Sequence, residues 1–270
     1  MYDKSGRVPV NDGDLFFECA GNGEPVVFLH GFGLDSRMWD SQFDALQSKY
    51  RVIRYDLRGF GRSSLPPQTA YAQEDDLNAL LSSLGAAPAH VVGLSMGGNM
   101  ALRFAAAYPR SVRSLVLADS ALDGHAWCTD WQTRWSEMRD AARAGQIAEA
   151  KRRWLEHPLF APARANPISA SLLARMVGDY SGWHWHNKDT ARVPSPPLAE
   201  RLCEIRVPSL VIMGALDLSD FQAIGNVLAK KLPDMRRSII FIPGSGHMVN
   251  LEAPREFNAA LLTFWQGLSE

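Results

Sequence analysis

The sequence predicts an α/β fold, with a mostly parallel central sheet, helices on both faces of that sheet and one helical insertion. Short apolar runs alternate with helix-forming stretches between residues 25 and 119. No strand pattern occurs from about residue 122 to residue 200, a region that holds six of the eight tryptophans. The alternation then resumes. We therefore expect a core of residues 1–121 and 201–270 and a helical cap of residues 122–200.

Each predicted strand is a short apolar run bounded by loops rich in Gly, Pro or polar residues. The chain opens with a hairpin over residues 8–20, which turns at Asn11-Asp12-Gly13. Further strands are predicted at 25–29, 51–56, 89–92, 112–119, 207–214 and 238–242. Since helices separate most of these strands, the sheet is expected to be mostly parallel.

The predicted helices combine helix-forming residues with apolar positions at three- and four-residue steps. In the core they cover residues 36–48, 71–84, 99–108 and 254–266, and in the cap residues 126–144, 147–156 and 169–179. A Pro-rich stretch over residues 193–197 marks the return to the core. On the first cap helix, Trp127, Trp131, Trp135 and Met138 follow this spacing, so they are expected to share one face, either packed within the cap or lining a pocket.

Composition and charge exclude several classes of protein. Hydrophobic residues make up 46% of the chain and charged residues 21%, which is typical of a globular protein. Lys and Arg total 28 against 29 for Asp and Glu, and no basic stripe or apolar span predicts a nucleic-acid or membrane partner. The three cysteines are far apart, and no apolar leader follows Met1, so we expect a cytoplasmic location.

The most informative motif is Gly93-Leu94-Ser95-Met96-Gly97, which fits the G-x-S-x-G pattern. It lies between the predicted strand 89–92 and the predicted helix 99–108. A turn this tight strains the serine backbone and requires small residues around it. Ser95 is therefore the candidate nucleophile.

A serine hydroxyl needs a neighbouring base to remove its proton. His247 is the candidate base because it lies in a Gly-containing loop directly after a predicted strand. His30 and His90 are expected to make structural hydrogen bonds, and the other four histidines lie in the cap. Of these, His184 and His186 with Asp189 could in principle hold a metal ion. The spacing provides no convincing third ligand, so no metal is predicted.

The imidazole in turn needs a carboxylate that fixes its tautomer. Asp217 follows the predicted strand 207–214 and precedes His247, which gives the chain order serine, acid, histidine. Asp220 and Asp119 are also candidates for the acid, the first because it is close in sequence and the second because it also ends a strand. Asp56 is expected to order its own loop.

Five segments carry a family resemblance: residues 30–33 (His-Gly-Phe-Gly), 56–63 (Asp-Leu-Arg-Gly-Phe-Gly-Arg-Ser), the serine motif, 214–217 (Gly-Ala-Leu-Asp) and 246–247 (Gly-His). In this order they resemble the α/β-hydrolase superfamily, in particular its serine esterase and lactonase-like branch with a helical cap. The resemblance implies the α/β-hydrolase fold and no cofactor. It also implies that the backbone N–H groups of Phe32 and Met96 form an oxyanion hole.

The expected activity is hydrolysis of a small-molecule carboxylic ester or lactone through an acyl-enzyme, by a monomer or homodimer. Candidate pocket residues are Gly33, Trp127, Trp131, Trp183 and Met248. The same scaffold also hosts carbon–carbon bond hydrolases, although those relatives usually carry Asn where this chain has Leu94. The motifs are compatible as well with a cofactor-free perhydrolase or with a hydrolase-fold ligand receptor.

Overall fold

The computed structural model describes residues 4–236 and 239–268. In these residues eight strands form one sheet: β1 (Lys4–Val10), β2 (Gly13–Ala20), β3 (Glu24–Leu29), β4 (Tyr50–Tyr55), β5 (Ala89–Leu94), β6 (Val112–Ala118), β7 (Ser209–Gly214) and β8 (Ile240–Ile242). Their order is β1-β2-β4-β3-β5-β6-β7-β8. The hairpin strand β2 pairs antiparallel with β1 and β4, and every other neighbouring pair is parallel. The predicted fold class is confirmed.

Helices flank the sheet and fill the chain between β6 and β7. They are α1 (Asp40–Leu46), α2 (Gln73–Ser83), α3 (Met96–Ala107), α4 (Thr129–Arg143), α5 (Ile147–Glu156), α6 (Ala161–Ala165), α7 (Pro167–Asp179), α8 (Trp183–His186), α9 (Leu198–Arg201), α10 (Ser219–Lys231), α11 (Val249–Glu252) and α12 (Pro254–Gln266). We call residues 129–201, which carry α4 to α9, the helical segment. Its α7 packs against the turn at Ser36–Trp39, and its α6 packs against α11.

Several element boundaries differ from the sequence predictions. The predicted helix 36–48 divides into a 3-10 turn at Ser36–Trp39 and the α-helix α1, and Asp35 accepts the Arg37 N–H at the start of the turn. β7 begins after Pro208, which has no amide hydrogen to donate. The predicted strand 238–242 is observed as β8, and its first residue, 238, lies outside the described residues.

The sheet brings four chemically interesting side chains to one edge. Since β5, β6, β7 and β8 are parallel neighbours, their carboxyl ends lie side by side. Ser95, Asp119, Asp217 and His247 follow these four strands in that order. Loops at the carboxyl edge of a parallel sheet are the usual place for a site in such folds.

Within residues 4–236 and 239–268, every helix falls short of the length and apolarity that crossing a bilayer requires.

Candidate active site

Ser95 occupies a strained turn between β5 and α3. Its backbone has φ 57° and ψ −119°, a conformation that residues other than glycine rarely adopt. Its N–H donates to the carbonyl of Ala118 at the end of β6, at 3.0 Å, and its carbonyl accepts from Asn99 in α3, at 3.1 Å. Such a conformation costs about 1–3 kcal/mol, so the surrounding structure must hold it in place.

The glycines beside Ser95 allow this turn because the backbones around it touch. A Cβ on Gly93 would lie 2.2 Å from the carbonyl oxygen of Gly97. A Cβ on Gly97 would lie 2.2 Å from the carbonyl oxygen of Leu29 in β3. These distances are far below van der Waals contact, so the expectation of small residues around the serine is confirmed.

His247 and Asp217 form a buried pair. The Nδ1 atom of His247 lies 2.9 Å from Oδ2 of Asp217, and only 1% of the His247 surface is exposed. The second oxygen of Asp217 accepts the N–H of Leu218 at 2.7 Å. A carboxylate on Nδ1 places the imidazole proton there and leaves Nε2 free to accept a proton.

Of the three acids that the sequence left open, Asp217 is the one that contacts His247. Asp220 instead accepts from His125 Nε2 at 3.0 Å and from the Cys128 N–H at 3.1 Å, ahead of α4. Asp56 accepts the N–H groups of Ser36 and Arg62, so its predicted loop-ordering role is confirmed.

The Nε2 atom of His247 is buried and has no hydrogen-bond partner among the described residues. The Ser95 hydroxyl is therefore not bonded to it in this structure. A buried nitrogen without a partner costs about 1–3 kcal/mol. Nucleophile–base hydrogen bonds are often loose without substrate and tighten in the reacting complex, so this geometry is compatible with proton transfer.

Glu252, which the sequence analysis missed, holds the loop on both sides of His247. Its Oε2 accepts the N–H of Gly246 at 2.5 Å, and its Oε1 accepts the N–H of Met248 at 3.1 Å. Burial raises the pKa of this carboxyl above its ordinary value. Only the turn from the loop into α11 brings the carboxylate back over the two amides, so sequence spacing gave no signal for it.

Asp119 lies at the end of β6 beside Asp217. It is fully buried, and its Oδ1 accepts the N–H of Gly214 at 2.9 Å. Its Oδ2 has no hydrogen-bond partner among the described residues, but the carboxyl groups of Asp119 and Asp217 are close enough to interact electrostatically. Burial, and then the charge of Asp217, raise the pKa of Asp119 well above its usual range, so both favour the neutral form of this acid.

The peptide between Gly31 and Phe32 is fixed through its carbonyl. That oxygen accepts from Nδ1 of His30 at 2.8 Å and from the N–H of Leu34 at 3.4 Å. His30 also accepts the N–H of Leu57 at 2.9 Å on Nε2, and burial lowers its pKa. In a trans peptide the N–H points away from the carbonyl, so these bonds fix the direction of the Phe32 N–H. The predicted structural role of His30 is confirmed.

Comparison with known proteins agrees with this geometry. A family model described as alpha/beta hydrolase fold matches residues 24–254. The chain belongs to the α/β-hydrolase family.

Relatives of this α/β hydrolase include proteins of similar length. It is 30% identical over 94% of its length to "Putative carbamate hydrolase RutD" of Azorhizobium caulinodans, covering 95% of that protein. It is 27% identical to 3-oxoadipate enol-lactonase 1 of Acinetobacter baylyi, over 87% of this chain and 86% of the relative. A thermophilic esterase from Thermogutta terrifontis, solved with malate bound, superimposes with a TM-score of 0.81 at 26% identity, covering 98% and 99% of the two chains. The superfamily and its esterase and lactonase-like branch are thereby confirmed.

In this α/β hydrolase the side chain of Phe32 joins the core to the helical segment. Its ring is half-buried and contacts Trp135 in α4, with ring centroids 4.9 Å apart, and Trp154 in α5, at 5.8 Å. Tyr180 and Phe60 contact it at 5.8 Å and 5.5 Å. The loop that carries the candidate oxyanion donor is thus packed directly against the helical segment.

Three tryptophans on α4 and just before it line a groove. Trp127, Trp131 and Trp135 are half-buried and border a cavity of about 510 Å³. Phe221 contacts the rings of Trp127 and Trp131, and its ring centroid lies 4.1 Å from that of His247, so it connects these tryptophans to His247. Met138, expected on the same face, is instead buried beneath the helix with 2% exposure.

The remaining candidate pocket residues lie elsewhere. Gly33 has a positive φ of 71° and backs onto Trp154, since an added Cβ would lie 2.7 Å from Nε1 of that tryptophan. Trp183 is half-buried against the ring of His184, and Met248 is buried with 1% exposure. Among the described residues no group of three or more His, Cys, Asp or Glu side chains is arranged to hold a metal ion.

Proposed function

We propose that this protein is a serine hydrolase that cleaves carboxylic esters or lactones through an acyl-enzyme. The observation that carries the proposal is the strained Ser95 turn at the sheet edge that also bears the buried His247–Asp217 pair. Backbone strain of this kind persists where it serves a site. In the proposed roles Ser95 is the nucleophile, His247 the general base and Asp217 the acid that orients it.

In the first half of the reaction, the Ser95 oxygen attacks the substrate carbonyl and Nε2 of His247 takes the hydroxyl proton. The unpartnered state of Nε2 supports this role, because a nitrogen engaged elsewhere could not accept the proton. Asp217 stabilises the imidazolium that forms. The same proton then passes to the leaving alcohol, or to the ring oxygen of a lactone, as the C–O bond breaks.

The negative oxygen of the tetrahedral intermediate is proposed to accept two backbone N–H groups. One is that of Met96, the first residue of α3, whose amide has no acceptor inside the helix. The other is that of Phe32, whose direction the bonds to the Gly31 carbonyl fix. One such donor typically contributes about 3 kcal/mol to transition-state stabilisation. Water, deprotonated by His247, then releases the acid from Ser95.

We further propose that residues 122–200 act as a cap that shapes the substrate pocket. Two observations support this: the contacts of Phe32 with α4 and α5, and the half-buried state of Ser95 and Met96. The names of the enol-lactonase and esterase relatives support the ester or lactone class.

A fluorophosphonate probe tests the nucleophile. We expect the wild-type protein and a Ser120→Ala control to be labelled, and Ser95→Ala to be unlabelled and inactive on p-nitrophenyl acetate. Ser120 is a matched control because it is buried close to the same turn, against Gly98. Labelling of Ser95→Ala at another serine would contradict the proposal.

A substrate panel tests the bond that is cleaved. Lactones, p-nitrophenyl esters of graded chain length, and a matched aryl carbamate are compared by kcat/KM. We expect esters or lactones to exceed the carbamate by at least about tenfold, since a carbamate carbonyl is less electrophilic. A preference for the carbamate would overturn the ester assignment, and a single covalent turnover without release would favour a receptor.

A further inference from the structure

Helix α4 presents a stripe of aromatic and basic side chains to the groove. On this helix Trp131, Trp135, Arg139 and Arg143 recur at four-residue intervals, so they lie on one face. Trp127 continues the line just before the helix. All five side chains line the cavity of about 510 Å³ described above.

The two arginines of this stripe lack the carboxylate partners that several other arginines of the helical segment have. Within the part of the chain that the structure describes, neither Arg139 nor Arg143 makes an ion pair, and Nε of Arg139 is buried without a hydrogen-bond partner. By contrast, Arg134, on another face of α4, pairs with Asp130 at 2.8 Å, and Arg153 pairs with Glu137 at 2.9 Å. Within the described residues, Arg139 and Arg143 are therefore unpaired cations that border the groove.

A neighbouring cavity adds to the positive charge. It has a volume of about 490 Å³ and shares Trp135, Arg139 and Arg143 with the first cavity. Lys188 and His186 line its other side. One acidic residue borders each cavity, Asp140 the first and Asp189 the second, so cationic side chains outnumber carboxylates around the two arginines.

We propose that the groove is a binding site for an apolar organic carboxylate. The apolar part of the ligand packs against the stacked rings of Trp127 and Trp131, which lie 4.6 Å apart. Its carboxylate is held by Arg139 and Arg143, because a guanidinium donates two parallel hydrogen bonds to a carboxylate. The cavity volume lies within the range of small-molecule sites, which favours a small ligand over a protein surface.

The class of ligand follows from this combination of charge and shape. A neutral apolar molecule would leave the two arginines without partners, and a small inorganic anion would leave the tryptophan rings exposed to water. An apolar carboxylate satisfies both parts of the stripe. Hydrolysis of an apolar ester releases such an acid, but the binding site does not depend on the proposed reaction.

Binding is measured on Ser95→Ala protein, which excludes turnover, with 4-phenylbutyrate and the neutral 4-phenylbutyramide as matched probes. Calorimetry or tryptophan fluorescence gives the two dissociation constants. We expect the carboxylate to bind about tenfold more tightly than the amide, the effect of one charge-assisted contact in a partly exposed site. Arg139→Gln with Arg143→Gln should reduce carboxylate binding to the amide level and leave amide binding unchanged.

Arg134→Gln is the matched control on the same helix and should leave both affinities as they are. Trp131→Ala should weaken both probes, and its melting temperature shows whether it folds. Equal binding of the two probes, no binding of either, or a preference that survives the double arginine change would overturn the proposal. Because every arm uses protein without Ser95, failure here is distinct from failure of the ester hydrolysis.

Discussion

Substitution of Asp119 by Asn tests the neutral state of this buried acid. The side chain is fully buried, and its Oδ1 accepts the Gly214 N–H at 2.9 Å. Asparagine has the same shape, so its carbonyl can keep that bond while its NH₂ group donates toward Asp217. It cannot ionise. We therefore expect Asp119→Asn to fold and to keep kcat within a few-fold of the wild-type value.

The stability of the two proteins should diverge with pH. Burial, and then the charge of Asp217, raise the pKa of Asp119 in the folded state. Unfolding lets the group ionise with its ordinary pKa of about 3.9. Its contribution to stability is therefore complete below about pH 4 and declines as pH rises toward the folded pKa. The decline is about 1.4 kcal/mol per pH unit, and Asp119→Asn does not undergo it.

The assay is urea unfolding of both proteins from pH 4 to pH 9, with the free energy of unfolding of the wild type subtracted from that of the variant. We expect the difference to increase with pH at that slope and then to level off. Asp44→Asn, an Asp-to-Asn change at an exposed position of α1, controls for the substitution itself. A difference that is flat across this range would refute the neutral-acid interpretation.

Three further predictions concern the catalytic loops. Glu252→Gln should lower kcat roughly tenfold with little change in KM, because an NH₂ group replaces one of the two carboxylate oxygens and cannot accept the N–H that this oxygen binds beside His247. Gly97→Ala should lower the free energy of unfolding, measured by thermal denaturation, by more than about 2 kcal/mol, since the added Cβ would lie 2.2 Å from the Leu29 carbonyl oxygen. His30→Ala should reduce kcat on p-nitrophenyl esters by about tenfold or more, because the Gly31–Phe32 peptide, proposed to bind the oxyanion, loses one hydrogen bond to its carbonyl.

Unchanged kcat in Glu252→Gln would show that the loop holds His247 without the carboxylate. A Gly97→Ala protein as stable as the wild type would mean that the turn relaxes freely. A raised KM with unchanged kcat in His30→Ala would show that His30 affects substrate binding and not the transition state.

Local sequence signals predicted most of the long helices and the strands. Helices α5 and α12 have the predicted bounds, since Gly145 and Pro158 flank the first and Pro254 begins the second. Helix α10 was not predicted, because Gly225 interrupts its pattern. That glycine has a packing reason visible only in the fold: a Cβ there would lie 2.0 Å from the sulfur of Met213 in β7.

The same division holds for the candidate site. Ser95, Asp217 and His247 could be selected from the sequence because each follows a predicted strand, and the parallel sheet then brings the strand ends together. Glu252 and the neutral Asp119 could not, because their roles depend on which amides and carboxyls approach them in three dimensions. The two free arginines also needed the structure, since sequence alone does not show which charges are paired.

The dual position of Phe32 has a consequence for engineering. Its backbone belongs to the turn proposed to bind the oxyanion, while its ring packs against aromatic side chains of α4 and α5. Exchanging the helical segment for that of another protein in order to change specificity would also disturb the peptide's alignment. A chimera should therefore retain Trp135 and Trp154 if turnover is to survive the graft.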